Sequence, residues 1–162
     1  MAEPLPPSAI RGAPREFPGL IEWFGRLSDG LVLLEPYELP ALRQAIDGVA
    51  ESTRRHARAT RELEVESPGL SPSGRRLARL VQVDHAWFEL SVEQLYWFLE
   101  IVEREDHGGH RQALGQYGRL VVEAFRRHLA DEAHLRRERA ETGRRAGELP
   151  RAPTRPKTSE KP

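Results

Sequence analysis

Apolar residues recur three and four positions apart in three long stretches of the chain, the spacing that gathers side chains onto one face of a helix. The first stretch opens after Pro40, a residue suited to a first helical turn because its missing N–H would have no partner there. It predicts a helix over about 41–65. Leu42, Ala45, Ile46 and Val49 form its apolar face, which continues as Thr53, His56, Thr60 and Leu63. The inward face thus turns polar halfway along. Two prolines and two glycines in ESPGLSPSG then break the pattern, and Ser71 followed by Pro72 supplies a cap and first turn for a second helix.

That second helix, about 72–105, carries five of the eleven aromatic residues: Trp87, Phe88, Tyr96, Trp97 and Phe98. Gln82, His85, Glu89, Glu93, Glu100 and Glu103 share one narrow polar stripe, and apolar residues take most of the remaining circumference, as expected of a central helix. Asp84 and Ser91 interrupt this wide face beside Phe88, Leu95, Phe98 and Val102. A buried carboxylate must be protonated, hydrogen-bonded, ion-paired or bound to a cation.

The third stretch, about 109–147, follows Asp106 and two glycines that permit a reversal of direction. His110, Leu114, Tyr117, Val121, Ala124, Phe125, His128, Glu132 and Leu135 face inward, while His134 falls on the outer side. Upstream, FPGLIEWFGRLSDG predicts a short amphipathic helix ended by Gly30, with Leu20, Trp23, Phe24 and Leu27 on one face. LVLLEP reads either as a helix extension or as a buried extended segment. The expected fold is all-α: an antiparallel bundle of three long helices plus a short N-terminal helix over residues 17–148. Residues 1–16 and the basic, proline-rich 149–162 are expected to be disordered tails, having little to bury against their ordering entropy.

Short connections and a rise of ~1.5 Å per residue allow the polar interruptions to be compared in height. His56 lies ~14 Å before the first connection and Asp84 ~18 Å after it, whereas Asp84 and His128 each lie ~30 Å from the second. Glu132 is one turn beyond His128 on the same face. His56, Asp84, His128 and Glu132 are therefore the candidate site. They make a hydrogen-bonded core network, or a metal site whose donor types suit zinc or non-haem iron, or, where the heights differ from this count, they do not meet.

His56 followed by His85-Ala-Trp-Phe-Glu89 resembles the hemerythrin-like bundles, in which a histidine is followed by a histidine and a glutamate one turn apart. The likeness covers about a third of the chain and departs afterwards, at His107, His110 and the His128, Asp131, Glu132 group. Helical projection sets His85 and Glu89 on the polar stripe, as an exposed pair. The ferritin-like pattern is absent, since no glutamate stands three residues before a histidine.

Composition narrows the function classes. A chain of 162 residues with 38% hydrophobic content suits one domain. The lack of cysteine excludes disulfides, thiolate metal sites and cysteine nucleophiles. No signal-peptide pattern and no run near the ~20 apolar residues of a membrane span is present, so a cytoplasmic protein is the expectation. Lys+Arg and Asp+Glu both total 25, but residues 136–162 hold nine basic and four acidic side chains. Weak nucleic-acid association through that tail is one reading. A second is the metal-binding bundle. The most economical is a non-enzymatic interaction or assembly protein, because the apolar arc of the second long helix exceeds its expected cover and turns Trp87, Trp97 or Ile101 toward a protein partner or a second copy. No motif identifies a catalytic residue. Asp106-His107-Gly108-Gly109-His110-Arg111 could hold an anion at a helix start, but its context favours a tight interhelical turn.

Overall fold

Four α-helices account for the apolar periodicities: α1 (Phe17–Gly30), α2 (Leu39–Ala59), α3 (Pro72–Arg104) and α4 (Gly108–Glu148). The computed structural model describes Ile10 and residues 13–148, and contains no strand among them. The two expected tails therefore lie largely outside the described residues, although Ile10 is buried in the main core.

Pro18 starts α1, whose buried face comprises Phe17, Leu20, Ile21, Trp23, Phe24 and Leu27. Leu31–Leu33 then forms a 3₁₀ turn, deciding LVLLEP in favour of a helical continuation. The turn is pinned by Arg111, which is buried and donates to the carbonyls of Leu31 and Leu34 while holding Asp106 at 2.5 and 2.6 Å. Arg111 is thus committed within the chain, and the tight interhelical turn comprises residues 105–107, with Gly109 N–H in the first turn of α4 donating to His107 Nδ1.

The first long helix is shorter than its apolar pattern predicts. It ends at Ala59, and a separate 3₁₀ turn covers Arg61–Glu64. Thr60 marks the break: its hydroxyl donates to the His56 carbonyl, and its backbone leaves the helical region at φ −114° and ψ 13°. Helix α3 begins as its sequence suggests, with the Ser71 hydroxyl accepting from Gly74 N–H at 3.0 Å.

Residue pairings fix the sense of neighbouring helices. From α3 to α4, Ser71 meets Glu138, Asp84 meets His128 and Phe98 meets Tyr117, so one number falls as the other rises. From α2 to α3 the same holds for Arg43 with Glu103, Asp47 with Tyr96 and Thr60 with His85. Glu22 with Arg126 and Asp29 with Arg119 run α1 against α4. Close approach of α1 and α4 depends on Gly115, where an added Cβ would lie 2.6 Å from the Ser28 carbonyl oxygen.

Phe88, Leu95, Leu99 and Val102 from α3 pack with Leu114, Val121 and Phe125 from α4 in the main core. Leu63, Leu70, Ala78, Val81 and Leu135 form a smaller cluster at the far end. The polar group containing His128 lies between these clusters along α4. No helix among the described residues is long and apolar enough to cross a membrane.

Candidate metal centre

His128 is fully buried, and its two ring nitrogens face opposite ways. Nδ1 lies 3.0 Å from Asp84 Oδ2 on α3. A carboxylate can only accept here, so this nitrogen carries the proton and donates. The other nitrogen, Nε2, is buried without a hydrogen-bond partner; Glu132 Oε2 stands 3.4 Å away. Glu132 follows His128 by four residues, the separation that stacks two side chains on one face of α4.

The third member comes from α2. His56 Nε2 lies 2.8 Å from Glu132 Oε2, and the imidazole stacks on Phe17 with ring centroids 4.1 Å apart. Phe17 thus turns the start of α1 into a lid on one face of His56. One donor atom each from His56, His128 and Glu132 falls within 4.8 Å of the others. Three of the four residues expected at the site therefore converge as a possible ligand set. Asp84 meets them differently: it is about a third exposed, and it holds the far nitrogen of His128 rather than joining the three donors. Its place at the edge of α3's buried face explains both the exposure and the reach.

Electrostatics concentrate on the same atoms. Burial pushes the Glu132 carboxyl upward, but the nearby imidazoles of His128 and His56 and the guanidinium of Arg136 outweigh it and hold the group well below the usual carboxylate range. Arg136, one turn further along α4, binds Glu132 Oε1 at 2.9 Å, leaving Oε2 for the two imidazoles. Burial lowers the pKa of His128, yet the carboxylates of Asp84 and Glu132 prevail and raise it. Without a bound cation the two carboxylates therefore favour the protonated form of His128 more than burial disfavours it.

His85 was expected on the solvent side with Glu89. It is instead buried, with Nδ1 2.6 Å from Glu64 Oε1 and Nε2 3.1 Å from the Thr60 hydroxyl. Its ring centroid lies 5.2 Å from that of His128. The 3₁₀ turn after α2 is the cause: it folds Glu64 over a face of α3 that two straight helices would leave to water. Glu89 remains exposed and binds Arg54 across to α2. A cavity of about 370 Å³, lined by Arg54, Arg58, Arg61, Glu64, His85 and Glu89 among others, opens on this side. His134 is exposed.

The arrangement can hold a cation with two imidazole nitrogens and one carboxylate oxygen, or it can satisfy itself by protonating His128. The deciding feature is Nε2 of His128: a buried nitrogen that makes no hydrogen bond although a Glu132 oxygen stands 3.4 Å away. No family model matches the chain, and no curated protein or solved structure is significantly similar to it.

Proposed function

We propose that the chain is a metal-binding protein in which His56, His128 and Glu132 hold one divalent first-row ion, zinc or ferrous iron, inside an antiparallel bundle of three long helices closed by α1. The observation that carries this reading is His128 Nε2, buried without a hydrogen-bond partner and facing the Glu132 oxygen that also meets His56. Two imidazoles and one carboxylate suit either metal and leave coordination positions open for water or a small ligand. A bound ion in such a set would supply Lewis acidity to whatever occupies those positions.

Asp84 is assigned a supporting role. A histidine that ligates through one nitrogen commonly donates its other N–H to a carboxylate, which fixes the tautomer and the ring orientation. Asp84 stands at that second nitrogen. Arg136 similarly orients Glu132 through Oε1 and offsets part of the buried negative charge.

Metal uptake by the chelator-stripped full chain tests the proposal, with zinc and, under anaerobic conditions, ferrous iron as the probes. Saturable binding of about one ion per chain is expected. His56→Ala and His128→Ala should each abolish it, whereas the exposed His134→Ala should bind as the parent does. Failure of both metals to bind saturably, or binding indifferent to His56 and His128, overturns the reading and leaves a core ion-pair network.

A further inference from the structure

Along the outer side of α3, the residues at 80, 83, 87, 90, 94, 97 and 101 alternate by three and four, the seam spacing of a coiled coil. Six of the seven are apolar: Leu80, Val83, Trp87, Leu90, Trp97 and Ile101, with Gln94 the exception. Four of these six are left largely uncovered by the described residues. Leu80 is 43% exposed, Val83 63%, Leu90 59% and Trp97 54%. Trp87 and Ile101 are half-buried at its inner margin. On α4, Leu120 is 65% exposed and lies one turn from Tyr117, which packs on Phe98 of α3. The apolar strip therefore extends over ~32 Å of α3 and onto its neighbour.

We infer that this face binds a second copy of the same chain, with the two α3 helices antiparallel about a two-fold axis at Leu90. Charge selects both the occupant and the direction. The positions flanking the seam on its outer side are Arg79, Ala86, Glu93 and Glu100, basic at one end and acidic at the other. Antiparallel pairing about Leu90 brings Arg79 of each copy level with Glu100 of the other, and Val83 level with Trp97. Parallel pairing would hold Arg79 of one copy ~32 Å along the axis from Glu100 of the other and forgo that ion pair. Glu93 and Glu100 make no ion pair with any described residue. Arg79 binds Glu66, but its side chain is 70% exposed and can serve a second carboxylate.

The area suffices. The exposed apolar side chains offer roughly 500 Å² per copy, so a two-fold pair would bury about 1,000 Å² before its polar rim is added, the lower edge of the range for specific interfaces. Two tryptophans and a central leucine supply the large, desolvated contacts in which binding energy concentrates. Gln94 resembles the single polar seam residue that fixes register in paired helices at some expense in affinity. The stripe lies on the side of α3 away from the His56, His128 and Glu132 donors, so pairing does not depend on metal.

Sedimentation velocity on the full chain, with and without chelator, provides the test. A monomer–dimer equilibrium with a dissociation constant in the micromolar range is expected. Leu90→Glu sets two carboxylates face to face at the axis and should weaken the dimer at least 100-fold, with helix content by circular dichroism unchanged. Arg79→Glu should also weaken it, and Arg79→Glu combined with Glu100→Arg should restore it. A chain monomeric at about 100 µM, or a larger assembly, overturns the inference, as does a dimer indifferent to Leu90→Glu. A dimer that the combined charge exchange does not rescue overturns the antiparallel arrangement.

Discussion

Glu132→Gln separates the two things the buried carboxylate does. In the parent, Oε2 accepts from His56 at 2.8 Å and Oε1 accepts from Arg136 at 2.9 and 3.2 Å. Glutamine keeps the volume and one acceptor. If its oxygen stays with Arg136, its amide group meets the N–H of His56, donor against donor. One charge-assisted hydrogen bond is then lost from a residue only 6% exposed, at a cost of about 2 kcal/mol. The Arg136 pair adds little, because the arginine side chain is half exposed and screened by solvent. Urea unfolding followed by circular dichroism in chelator should therefore register a loss of about 2 kcal/mol, or a fall of roughly 4–8 °C in melting temperature. Saturating zinc should raise the melting temperature of the parent and leave the variant unmoved, since about 100-fold excess over Kd contributes about 2.7 kcal/mol. A loss under ~0.5 kcal/mol in chelator would show that Glu132 does not join the helices through its charge.

Asp84→Asn removes no proposed ligand, so it should retain metal binding but weaken it about 10–100-fold, measured by competition with a chromophoric chelator. In the metal-free protein, the raised pKa of His128 adds stability that is complete below 6.5, its ordinary value, and is lost as pH rises through the higher folded value. The stability difference between parent and His128→Gln should accordingly shrink as unfolding curves are collected above pH 6.5. Glu132 has the opposite sign: its lowered pKa adds stability above 4.5 that disappears as pH falls through the folded value. Gly48→Ala, where a methyl group meets nothing within 4 Å inside α2, should stabilise by about 1 kcal/mol in thermal melts. Gly115→Ala should destabilise by roughly 1–3 kcal/mol, because its methyl group would press on the Ser28 carbonyl.

The helical pattern was readable because one periodicity governs nearly the whole described chain. Ser71 with Pro72 marks a helix start with little ambiguity, and the observed α1, α3 and α4 begin within a residue or two of the expected positions. Thr60 was not readable as a stop. It continues the inward face of α2 in register, and only its hydroxyl's bond to the His56 carbonyl and the following turn reveal the break.

That break propagates into the site. His56, His128 and Glu132 could be found from face and height alone, since each interrupts an apolar stripe on a straight helix. Asp84 was found for the same reason, but its role required knowing which nitrogen of His128 it meets. His85 was missed because projection on a single helix says which side it takes, and not what the next turn lays over that side. Phe17 and Arg136 are likewise partners chosen in three dimensions: a stacked ring from α1, and a charge that helical projection treats as solvated.

Anomalous diffraction from crystals of the metal-loaded chain, recorded on both sides of the zinc absorption edge, distinguishes a metal centre at His56, His128 and Glu132 from an ion-pair network. One strong peak is expected, bounded by His56 Nε2, His128 Nε2 and a Glu132 oxygen, at about 2.0–2.2 Å from each, with His128 Nδ1 still donating to Asp84. A zinc peak elsewhere, or none at saturating zinc while His128 remains between Asp84 and Glu132, would contradict it.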